Sequence, residues 1–155
     1  MDNNSTTYSP SDTRVYHEGD FRFVWAWAQR NLGRAYRVMP AGDQAANLER
    51  AIACLLADRR VYAEGNSPFE WATTQNNLGI ALQTLGKRTG GEAGAQQLSA
   101  AVTAYEAVLR IDSENDMPAD WAATQNNLGD ALHVLGKRIG GEDGAKKLAA
   151  AVAAY

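Results

Sequence analysis

The chain has 155 residues and a formal net charge of −3, which lends no support to a general nucleic-acid or anionic-membrane surface. Alanine, leucine and long polar side chains dominate and runs of β-branched residues are absent, so helix is favoured. Cys54 is the only cysteine and no stretch approaches the roughly 18–20 apolar residues that span a bilayer, which excludes a disulfide within one chain and a transmembrane helix.

Residues 1–18 are polar, lack a helical apolar period and contain Pro10; a disordered tail is expected there, followed by a helical domain over 19–155. No apolar export segment precedes the helices, so a cytoplasmic location is expected. From Asp20, a candidate N-cap, Phe21, Trp25, Leu32, Tyr36 and Met39 recur at helical steps and share one face. Pro40, Ala41, Gly42 and Asp43 break this helix, and Asp43 can cap the next one. In that second helix Leu48, Ile52, Leu55 and Leu56 form the expected buried stripe, ending near Gly65 and Asn66.

Ser67, Pro68, Phe69 and Glu70 read as a helix start: a serine cap, a proline at the first position and a glutamate completing a capping box. Trp71, Leu78, Leu82 and Leu85 then share a face. Glycines 86, 90, 91 and 94 turn the chain, and helix resumes near Glu92, burying Leu98, Val102, Tyr105 and Leu109. Residues 112–118 are the next break.

From Trp121 the chain repeats itself. Residues 71–105 and 121–155 match at 25 of 35 positions, and a degraded first copy runs over 25–39. The units are 20–66, 67–116 and 117–155, the last of them short, because Tyr155 aligns with Tyr105 and 106–111 has no counterpart. Self-similarity at a period of about 20–50 residues marks a stacked-repeat protein.

The repeated units carry Leu32-Gly33 with Tyr36, Leu78-Gly79 with Leu82, and Leu128-Gly129 with Leu132. Ala51 with Leu55, Ala101 with Tyr105 and Ala151 with Tyr155 follow, and Pro68 and Pro118 close the units. Over residues 20–155 this resembles the tetratricopeptide repeat, although the period is 50 where the common repeat has about 34, and the tryptophan lies seven residues before the leucine. The TQNNLG wording is similar to long-period repeats of bacterial signalling and defence-type proteins, where the array is a sensor or adaptor arm. The resemblance implies an all-α fold: a tetratricopeptide-like α-solenoid of antiparallel helix pairs in a right-handed superhelix. Its glycine step lets neighbouring helices approach closely, at a helix-propensity cost of about 1 kcal/mol.

The resemblance further implies a ligand surface on the first helix of each pair. Transferred residue by residue, that surface holds Trp27, Arg30, Arg34 and Arg37, then Thr73, Asn76, Ile80 and Gln83, then Ala123, Asn126, Asp130 and His133. Between the second and third copies the first helix differs at 73/123, 80/130, 83/133 and 84/134, three of them groove positions, as a tailored binding surface would. Arg30, Arg34 and Arg37 occupy successive turns and can converge on a carboxylate or phosphate, with Phe23 and Trp27 extending the face; the alternative is a basic face paired with acids of the next helix. Asn31, Asn77 and Asn127 precede each Leu-Gly step. Similar repeat proteins use such a ladder to hold an extended peptide's main chain, and the alternative is that each satisfies a group within its own pair.

No catalytic set is recognisable. Cys54 and His133 lie in different repeats, and Cys54 reads as a small buried hydrophobe. There is no metal-ligand spacing and no cofactor motif, since the glycine-rich connections lack the GK[ST] order. The expected function is a non-catalytic adaptor or scaffold that binds a peptide or protein segment in the groove, with no nucleic acid and no membrane. The alternative is an oligomerisation module, or a piece of a larger signalling or defence protein. In that reading Leu148, Val152 and Tyr155 present an apolar stripe that a second copy, a partner or a further repeat covers.

Overall fold

The computed structural model describes residues 21–63, 65 and 67–155; the expected tail and the Asp20 cap lie outside them. Among the described residues the chain is all-α, with no strand: α1 Arg22–Val38, α2 Gln44–Val61, α3 Pro68–Arg88, α4 Gly91–Val108, α5 Pro118–Ile139 and α6 Gly141–Ala154. The helices form three pairs, one per sequence repeat. Helix α2 stops at Val61, short of Gly65, because Tyr62 turns extended at φ −92 and ψ 104.

Local chemistry sets most boundaries. The Asp43 carboxylate accepts from the amides of Ala45 at 2.8 Å and Ala46 at 3.4 Å, the expected cap of α2. The expected capping box at Ser67 and Glu70 does not form. Ser67 makes no side-chain cap bond, and its N–H, the group Glu70 would accept from, donates to the Ala63 carbonyl at 2.9 Å. Met117, with no polar cap to offer, leads into α5 in the same way, its N–H donating to the Ser113 carbonyl at 2.9 Å. A backbone turn thus replaces the side-chain cap at the start of α3 and again at the start of α5. Pro68 and Pro118 take the first helical positions, where no N–H is needed. At the reversals Gly91 and Gly141, equivalent in the repeat, each have φ 61, a left-handed conformation that side chains disfavour.

Each helix packs on the next in sequence, and the first helices of the pairs also meet, α1 on α3 and α3 on α5. Helices α2 and α4 make no comparable backbone approach. A cleft of about 400 Å³ therefore lies between them, floored by Leu78 and Leu82 of α3. Ile52 and Leu56 line this cleft and stay half-buried, so the expected α2 stripe is complete only at Leu48 and Leu55. The centre is filled by Leu98, Val102 and Tyr105 of α4 against Leu128, Ala131 and Leu132 of α5, with Leu109 half-buried at its margin. The expected face of α1 is largely outside. Phe21, Leu32 and Met39 are 45%, 44% and 37% exposed, because among the described residues α1 packs on helices only toward α2 and α3.

Candidate functional site

The face shared by α1, α3 and α5 carries the residues singled out from the sequence, but the fold uses several of them internally. Arg30 turns toward α2, where its Nε donates to Asp58 Oδ2 at 2.9 Å; the two side chains are 12% and 0% exposed. Its guanidinium carbon also lies 4.8 Å from the centre of the Tyr62 ring. On the far side, the Thr74 hydroxyl of α3 sits between the Asp58 carboxylate and the Glu70 carbonyl. The three arginines therefore do not converge: Arg30 belongs to a buried pair that ties α1, α2 and α3 together. Arg34 is exposed and Arg37 half-buried, and with Asn31 they line a cleft of about 380 Å³.

Gln83 and Asp130 are likewise engaged. The Tyr105 hydroxyl donates to Gln83 Oε1 at 2.7 Å, Gln83 Nε2 donates to Asp130 Oδ2 at 2.8 Å, and Lys87 Nζ reaches the same oxygen at 2.5 Å. This chain of bonds runs from α4 through α3 to α5. Burial, and secondarily the Asp130 charge, push the Tyr105 phenol well above its ordinary range, with Arg37 opposing them, so it stays a neutral donor. Repeat differences at 80/130 and 83/133, which resemble a tailored ligand surface in the sequence, thus include an inter-repeat pairing. Tyr105→Phe should cost about 1–2 kcal/mol, because Gln83 Oε1 is left buried without its donor. Urea denaturation of the two proteins measures this.

Asn31 and Asn77 donate through Nδ2 to the carbonyls four residues back, Trp27 and Thr73, each at 3.0 Å. One N–H of each side-chain amide is thus used within its own helix. Asn127 and His133 are half-buried and Asn126 is exposed on α5. Trp27 stands 61% exposed on α1, while Phe23, one turn earlier, packs on Tyr62 with ring centres 5.7 Å apart. A second, smaller cavity of about 160 Å³, which the sequence reading does not anticipate, opens between the N-terminal parts of α3 and α5 beside Asn76 and Asp112.

At the α6 end, Val152 is 77% and Tyr155 68% exposed, against 4% and 0% for their repeat equivalents Val102 and Tyr105; Leu148 is half-buried. Cys54 is half-buried rather than sealed in the core, and burial raises its thiol pKa, the opposite of an activated nucleophile. Among the described residues no helix is long and apolar enough to cross a membrane, and no three His, Cys, Asp or Glu side chains gather in a metal-binding arrangement. In comparisons with known proteins, no family model, curated protein or solved structure matches the chain.

Proposed function

We propose that the chain is a tetratricopeptide-like α-solenoid acting as a non-catalytic adaptor, with the face of α1, α3 and α5 receiving an extended segment of a protein partner. The observation that carries this reading is the cleft at Arg34 and Arg37. Neither guanidinium pairs with an acid among the described residues, Arg37 Nε is buried without an acceptor, and Trp27 stands exposed on the same helix. Two unpaired guanidiniums with an exposed aromatic on the same helix are what a binding hot spot prefers, and they suit an acidic side chain or a terminal carboxylate. Peptides selected from a random library against the whole chain provide the probe. Arg34→Glu is expected to weaken those peptides by about tenfold or more, on the order expected for a lost charge-assisted bond, and to leave the solution mass unchanged. If every selected peptide still binds the charge-reversed chain, the groove reading loses its site.

The exposed stripe on α6 favours a second reading, self-association through the terminal pair. Within the chain Lys87 of α3 meets Asp130 of α5. Carried one repeat further, that spacing sets Lys137 against the position that Arg34 holds in α1. A head-to-tail stack of copies would therefore oppose like charges, and a two-fold arrangement or an acidic partner suits this end better. Light scattering over a concentration range separates the readings: a dimer abolished by Tyr155→Asp supports the second, and a monomer at all concentrations removes it.

A further inference from the structure

The junction between the first and second helix pairs and that between the second and third use corresponding residues, but the position that holds Arg30 at the first holds Asn76 at the second. At the first junction Arg30 pairs with Asp58 and lies over Tyr62, which packs on Phe23. By the repeat alignment Phe23, Arg30, Tyr62 and Thr74 correspond to Phe69, Asn76, Asp112 and Thr124. Those four residues line the cavity of about 160 Å³ together with Ala72, Thr73, Met117 and Asp120. Asparagine is shorter than arginine, so the space filled by a guanidinium at the first junction is open at the second.

The open space is lined for a cation. Asp112 is only 7% exposed and no cation pairs with it among the described residues. Burial, and then the neighbouring Asp120, push its carboxyl above the ordinary range, as for a buried carboxylate lacking counter-charge. Asn76 Oδ1 is also buried without a partner, and Thr124, at 1% exposure, adds a hydroxyl acceptor. Phe69, 59% exposed, and Met117 contribute apolar wall.

We infer that this cavity receives an arginine side chain of the protein partner, which takes the place that Arg30 fills within the chain at the first junction. The inference rests on the proposal that the first-helix face binds a protein segment. A guanidinium offers five donors, and the two carboxylates, the Asn76 carbonyl and the Thr124 hydroxyl are all acceptors. Its methylene stem suits the Phe69 and Met117 walls. A divalent cation would use the same oxygens but leave those walls without a role.

The test is an NMR titration of the isotope-labelled full chain with N-acetyl-arginine amide, with N-acetyl-citrulline amide as the neutral isostere and calcium as the metal control. The arginine compound is expected to shift the amides of Asn76, Asp112 and Thr124 saturably. Citrulline, or arginine with the Asp112→Asn chain, should bind at least about tenfold more weakly. Asp112→Asn should keep the fold. Because the folded carboxyl titrates above its unfolded value, its ionisation weakens the fold as pH rises through that window, and the amide escapes this penalty at neutral pH. Asn76→Arg supplies the guanidinium from within; it is expected to raise the melting temperature by about 2–4 °C and to abolish the response to the arginine compound. No saturable shift, an equal response to citrulline, or calcium displacing the arginine compound would overturn the inference. Library-selected peptides that bind the chain but contain no basic residue would also overturn it while leaving the adaptor reading intact. Saturable binding of the arginine compound with no peptide retained would uphold the cavity and count against the adaptor.

Discussion

Arg30→Met is expected to destabilise the chain by about 3–5 kcal/mol, because it leaves Asp58 charged and buried with no cation beside it. Asp58 is 0% exposed, and among the described residues its remaining side-chain contact is the Thr74 hydroxyl, while its second oxygen, Oδ1, lacks a partner. The cost is that of an orphaned charge, and it exceeds what the intact pair contributes. The chain contains its own control for this distinction. At the second junction the equivalent positions are Asn76 and Val108, with Thr124 still in place of Thr74. The double variant Arg30→Asn with Asp58→Val copies that arrangement and should recover most of the loss, since buried ion pairs are replaceable by well-packed neutral groups. Lys146→Ala gives the surface comparison. Lys146 bonds Glu142 at 2.9 Å, but the side chains are 65% and 84% exposed, and its loss should cost less than about 1 kcal/mol. Urea midpoints of the parent and these three variants decide the matter: if Arg30→Met falls no further than Lys146→Ala, the buried pair has no special role in joining α1, α2 and α3.

Gly79→Ala should destabilise the chain and Gly129→Ala should not, although they replace the same residue of the repeat. A Cβ at Gly79 would lie 2.6 Å from the ring of Tyr105, which is 0% exposed and tied by its hydroxyl to Gln83. The ring has nowhere to go, and overpacking of this kind costs about 1–3 kcal/mol, more than the gain of roughly 1 kcal/mol in helix propensity offsets. At Gly129 the Cβ would meet the Tyr155 ring at 3.0 Å, and Tyr155 is 68% exposed and able to shift outward. There the propensity gain prevails, and the variant should match or exceed the parent by up to about 1 kcal/mol. Thermal unfolding of the two variants measures it. Equal destabilisation at the two sites would mean that Tyr155 is held as firmly as Tyr105, which would point to a covered α6 end in solution.

What the residues determine by themselves is local. Helical apolar periods, the Asp43 cap, prolines at the first helical positions and the glycines at 91 and 141 each act within a turn or two, so the helix-paired, all-α character and most element boundaries are legible without any packing. The repeat also places the close approaches in advance, since a Leu-Gly step facing a tyrosine or leucine of the next helix recurs at 33, 79 and 129. The destination of each polar side chain on the first-helix face is not legible in this way. Arg30 and Asp58 are 28 residues apart, and Gln83 and Asp130 are 47 apart, in elements that meet only after the pairs have stacked. Whether an arginine on a helical stripe reaches solvent or a buried acid depends on which side chain the neighbouring helix presents at that height. The same holds for the Asp112 cavity: it exists because three separate elements converge on a position where one repeat has arginine and the next has asparagine. A sequence period places those residues on the same face, and only tertiary packing decides whether the space between them is filled by the chain or left for a partner.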